Sequence, residues 1–250
     1  CLLFVCATVQ SCRDEYYYDD REPDFLGASI YDYLESEGCF NYFMKVIEDL
    51  NYKEVLSKTG SKTLFVADDE AFIKAVKEEW KYEGTDEEIY NQLTPAQKRI
   101  ILNNSMLDNA YLLELMSSMP APDENSETII GRCLRQVTSA QPTDSIGLFF
   151  DADLPQNNAD WDKFREKGIR LALDGTRTTM VHFLEEQLYQ NSISAEDLNI
   201  MLNNRYNATT KDAFIFDKKV IDQNVTCKNG YVHQLDGLLI PPSNMAEEIR

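Results

Sequence analysis

The sequence predicts an α+β fold, and three stretches carry that prediction. Residues 62–80, KTLFVADDEAFIKAVKEEW, place a short apolar run directly before a capped helix start. Residues 93–102, LTPAQKRIIL, open a second helix. Residues 212–242 alternate and are rich in β-branched and aromatic side chains, the pattern of adjacent strands joined by turns.

The composition sets the frame for these elements. The chain has 250 residues, 43% hydrophobic and 27% charged, which suits a folded core. Its 24 Lys plus Arg against 43 Asp plus Glu give a formal charge of −19. A field of that sign repels phosphate backbones, so nucleic acid is not an expected partner.

The first residues, CLLFVCATVQSC, are apolar and then small and polar. They are too short for a membrane-spanning helix, which needs about 20 apolar residues, but they suit the hydrophobic part of a secretory signal. Val9, Gln10, Ser11 and Cys12 resemble a bacterial lipobox, with Gln10 departing from the usual small or apolar residue. The reading is therefore a signal remnant over 1–11, a lipid-attachment site at Cys12 and a tether over 12–28. The tether is acidic and tyrosine-rich. Asp14, Glu15, Asp19 and Asp20 resemble the charged stretch that directs some lipoproteins to the outer face of the bacterial outer membrane.

From Ser29 the elements follow in order. Phe43, Val46, Ile47 and Leu50 recur at helical spacing and form one apolar face. Leu64 to Ala67 read as a buried strand, and Asp68 caps the helix begun by Asp69, Glu70 and Ala71, whose acids favour the positive end of its dipole. Thr94, Pro95 and Gln97 supply a cap, a first-turn proline and a capping box. Residues 178–191, TTMVHFLEEQLYQN, read as a helix on the spacing of Val181, Leu184 and Leu188, which leaves His182 at its surface or boundary. Ser194 and Asp197 open a further short helix. Turns are expected at Asp217-Lys218 and Asn229-Gly230.

Candidate chemistry is sparse. His233 falls in a strand with Tyr231 and Leu235 on the same face, a core position, and is read as a packed, hydrogen-bonded side chain. Asp151, Asp153, Asp160 and Asp162 are carboxylates that could meet a calcium ion, without the glycine or spacing of an EF-hand loop. Asn207-Ala208-Thr209 and Asn224-Val225-Thr226 match the glycosylation sequon, and Asp144-Ser145-Ile146 resembles a short O-glycosylation motif. Cys39, Cys133 and Cys227 lie far apart with no CxxC pair, so at most one disulfide joins them. No nucleophile elbow, HExxH or glycine-rich phosphate loop occurs in the sequence.

Two segments together resemble the fasciclin domain family. TLFVADDEAF, 63–72, resembles its first signature, and NGYVHQLDGLLIPP, 229–242, its second, with the LTPAQ helix start between them. The resemblance covers 29–242, with a long, partly helical insertion over about 120–207, and residues 243–250 read as a linker that would suit a further domain. It departs from the family at Ala67, where proline is frequent, and at Asn104 and Ser105, where a Tyr-His pair is frequent. Because that pair is associated with adhesion in some animal members, integrin-type binding does not transfer. What the resemblance implies is a β-sandwich-like core with packed helices, no catalytic residues, no cofactor or metal, and recognition of a protein or glycan at the cell surface. A second class stays open: a carbohydrate-active hydrolase with two carboxylates in the inserted segment, which would stand ~5–9 Å apart in a pocket.

Overall fold

The computed structural model describes residues 27–58, 60–119, 130–140 and 178–241. Cys12, the signal remnant and most of the tether, the Asp151–Asp162 carboxylates, Asp144-Ser145-Ile146 and the 243–250 linker lie outside the described residues.

Among the described residues of the first part of the chain there are six helices: α1 (Ile30–Glu37), α2 (Asn41–Asp49), α3 (Lys53–Lys58), α4 (Asp69–Trp80), α5 (Asp86–Asn91) and α6 (Pro95–Asn104). Their starts are set by local chemistry. Ser29, Thr85 and Thr94 each accept from the backbone N–H three residues on, while the side chain at that third position reaches back, closing three capping boxes. Helix α2 has no such cap of its own, since Phe40 precedes it. Asp69 serves instead, its Oδ1 accepting from the Tyr42 N–H and its Oδ2 from the Asn41 amide, both at 2.8 Å.

Among the described residues seven strands follow one another across a single sheet in the order β2-β1-β7-β6-β5-β4-β3. They are β1 (Lys62–Ala67), β2 (Met106–Leu107), β3 (Arg135–Val137), β4 (Thr179–Phe183), β5 (Phe214–Ile215), β6 (Lys218–Cys227) and β7 (Gly230–Leu235). The pair β1 and β7, second and third in that order, runs parallel, from Lys62 opposite Gly230 to Ala67 opposite Leu235, and the other pairings among the described residues are antiparallel. The sheet rolls up on itself, because just beyond β3 the Ser139 N–H donates to the Met106 carbonyl of β2 at 2.8 Å.

Alternation along β1 then divides the core. Leu64 and Val66 face the helices and pack with Phe43, Ile47, Phe72 and Ile101. Phe65 points the other way, into the roll, with Leu107, Met116, Met180, Ile215 and Leu235. Being buried on both faces, β1 is a continuous apolar run without the polar alternation of a half-exposed strand. Two further helices, α7 (Glu185–Gln190) and α8 (Ala195–Met201), pack Leu188 and Leu198 on Phe214 of β5. No helix among the described residues is long and apolar enough to cross a membrane.

Three expectations are corrected. Residues 178–191 are not one helix: Thr179–Phe183 is strand β4, paired to β3 and β5, and the helix begins only at Glu185. His182 is consequently not at the surface, since β4 alternates and His182 shares its buried face with Met180, both fully buried, while Thr179, Val181 and Phe183 are partly exposed. Both hairpin turns fall one residue earlier, at Phe216-Asp217 and Lys228-Asn229, because Gly230 already belongs to β7.

Candidate functional site

Five polar residues of the two signature segments, Asp68, Asp69, Asn229, His233 and Asp236, are bonded within the fold. Asp68 caps α4, accepting from the Ala71 N–H at 2.9 Å, and Asp69 caps α2 as described. Asn229 joins three elements. Its Oδ1 accepts from the Ile30 N–H of α1 at 2.8 Å, and its Nδ2 donates to the Leu56 carbonyl of α3 at 2.7 Å. Gly230 has φ +148, and a Cβ there would stand 1.8 Å from the Lys62 carbonyl oxygen, so no side chain fits. Asp236 accepts from the Lys219 N–H and from the Tyr206 hydroxyl, both at 2.8 Å. Burial, with that carboxylate second, pushes the Tyr206 hydroxyl pKa well up.

His233 is fully buried, its ring stacked on Phe65 with centroids 5.0 Å apart. Nδ1 accepts from the Asn224 N–H at 3.0 Å, which puts the ring proton on Nε2, where it donates to the Tyr111 carbonyl at 3.2 Å. Burial disfavours the charged ring and lowers its pKa to about 4, so near neutral pH it is an uncharged structural group. His182 is buried as well. Its Nδ1 lies 3.0 Å from Oε1 of Gln187, the contact that ties α7 to β4, and burial lowers its pKa to about 4. Tyr231 is only half-buried, while His233 and Leu235 are sealed.

Asn224 is the residue that sequence reasoning missed as a structural centre. It has φ 61 and sits where the β6–β7 register shifts, the mark of a β-bulge. Its Oδ1 accepts from the Leu113 N–H at 2.8 Å, and its Nδ2 donates to both carboxylate oxygens of Glu114, at 2.8 and 3.0 Å. The sequon at Asn224 therefore has its amide committed internally. A period-2 strand pattern gives no sign of this; an asparagine inside a β-branched run was the available signal.

Beside this bulge lies an open groove of about 510 Å³. Leu113, Leu184 and Ala213 contribute its apolar lining, and Glu114, Glu185, Glu186 and Lys211 its charges. Tyr189, 77% exposed, and Gln223 complete it. Of the described acids in the inserted segment, Glu185 and Glu186 line this groove. Among the described residues no group of three or more His, Cys, Asp or Glu is placed to hold a metal ion, and Cys39, Cys133 and Cys227 are not joined by disulfides.

No protein-family model and no curated protein matches the chain. Among solved structures it is similar to a FAS1 domain pair from the insect cell adhesion molecule fasciclin I, at 14% identity and a TM-score of 0.40, over 86% of this chain and 51% of that one. The chain thus spans about half the length of the chain it resembles.

Proposed function

We propose that the chain is a non-catalytic binding module of the fasciclin-like kind, whose rolled sheet is that family's sandwich-like core, and that it recognises a protein or glycan through the groove beside Asn224. The observation that carries this reading is the internal commitment of the signature residues. Asp68, Asp69, Asn229, His233 and Asp236 each hold a backbone or side-chain partner within the fold, and both histidines are buried and neutral. Groups placed this way build a scaffold, and recognition is left to the surface that the scaffold displays.

The hydrolase reading finds less support. Glu185 and Glu186 are consecutive residues in the first turn of α7, so their side chains leave the helix ~100° apart rather than facing each other across a substrate. The other groove carboxylate, Glu114, comes from outside the inserted segment and has both oxygens on the Asn224 amide. We further propose that the module is held by a lipid on Cys12 at the outer face of a bacterial outer membrane. Two acyl chains suffice for stable anchoring where one is marginal.

The test is a screen of the whole chain against glycan arrays and against surface proteins of the same cell, repeated with Tyr189→Ala. A ligand lost on that substitution supports the groove. Hydrolysis of an oligosaccharide panel that disappears in Glu185→Gln would favour the enzyme instead. Metabolic fatty-acid labelling of wild type and Cys12→Ala tests the anchor, which falls if wild type takes up no label.

A further inference from the structure

The lining of the groove narrows the class of partner, an inference that rests on reading the groove as the binding site. Three carboxylates, Glu114, Glu185 and Glu186, stand against one ammonium, Lys211, around an apolar surface from Leu113, Leu184 and Ala213. None of the bonds that the carboxylates make neutralises them. Glu114 accepts from the amides of Asn224 and Gln223, and Glu186 from the amide of Gln190. Amide donors orient a carboxylate and leave its charge in place. The groove therefore keeps a local negative excess within a chain of formal charge −19, so long-range steering and local contact favour the same sign of ligand.

The apolar lining decides what kind of cation fits. A bare ion gains nothing from Leu113, Leu184 and Ala213, whereas the methylene stem of a lysine or arginine side chain covers such surface while its head reaches a carboxylate. Tyr189, 77% exposed and lining the same groove, offers a ring face to a guanidinium. A neutral sugar would leave the charge excess unanswered, and an acidic one would be repelled by it. The volume of about 510 Å³ lies within the ~300–1,000 Å³ of small-ligand clefts, enough for a long side chain and its neighbours but not for a folded domain.

We propose that the groove beside Asn224 binds an extended basic segment of a partner protein, in which lysine or arginine alternates with apolar residues. The probe is a fluorescent peptide of alternating leucine and arginine, titrated against the whole chain and followed by anisotropy. Comparators are the same peptide with glutamate for arginine, and a neutral glycan array. Glu185→Gln/Glu186→Gln should weaken binding of the basic peptide by about tenfold, whereas Glu78→Gln/Glu79→Gln, the same charge change on exposed α4, should leave it within about twofold. Melting curves of both variants keep unfolding distinct from loss of contact. Equal weakening by the two variants means attraction by overall charge only and overturns the proposal. So does a neutral glycan whose binding is lost in Tyr189→Ala but kept in Glu185→Gln/Glu186→Gln, an outcome that leaves the groove as a binding site. If peptide, glycan array and surface-protein screen are all negative, the binding reading itself falls with it.

Discussion

Lowering the pH from about 7.5 to about 5 should strip roughly 4 kcal/mol from the folding stability, through His182 and His233. Both rings are fully buried, and in each burial lowers the pKa from 6.5 to about 4. The unfolded chain therefore binds the proton more readily than the folded one. The stabilisation is complete above pH 6.5, is lost progressively as the pH falls toward about 4, and levels off below that. At pH ~5 each histidine lies about 1.5 units below its unfolded pKa and still above its folded one, which at ~1.4 kcal/mol per unit is about 2 kcal/mol per ring. The carboxylates held low by their partners, such as Asp49 beside Lys98 and Tyr90, depart downward from 3.8 and so lose their contribution below this window. Reduced self-repulsion of the acidic chain acts in the opposite direction. The measurement is urea unfolding at the two pH values for wild type, His182→Gln, His233→Gln and the double variant, the pH-dependent difference cancelling the repulsion common to all four. Each single variant should lose about half of the pH dependence. A wild type as pH-sensitive as the double variant would refute the buried, neutral state of both rings.

The other predictions concern the sheet and its bulge. Gly230→Ala drives a Cβ into the Lys62 carbonyl at the start of the β1–β7 pairing, and should cost on the order of 4 kcal/mol or prevent folding, read by thermal melting. Asn224→Ala removes the acceptor for the Leu113 N–H and keeps a positive φ, so it should cost about 2 kcal/mol in denaturant unfolding, with Asn224→Gly recovering roughly 1 of that. Excision of residues 120–207 removes β3, β4, α7 and α8, uncovering Ile215 and Phe214 of β5; an aggregated product is expected by size-exclusion chromatography, and a soluble, cooperatively melting one would count against it.

What the sequence determined by itself is whatever depends on residues three or four apart. Asp68, Thr94 with Gln97, and Ser194 with Asp197 announce helix starts because a side chain bonds the backbone one turn ahead, and all are found so bonded. Leu64 to Ala67 were legible as a strand because a run buried on both faces stands out locally, and residues 230–235 because alternation with β-branched and aromatic side chains does too. The 178–191 stretch shows the limit. Val181, Leu184 and Leu188 satisfy a helical spacing, yet residues 179–183 are a strand because β3 and β5 supply hydrogen bonds that lie far off in the chain. His182 is buried for the same reason. The groove was illegible outright, for its lining comes from 113–114, 184–189, 211–213 and 223, segments with no common period. Only the rolling of the sheet brings them together, with Asn224 in its left-handed conformation fixing Leu113 and Glu114 against β6, and that is decided by contacts about a hundred residues apart in the chain.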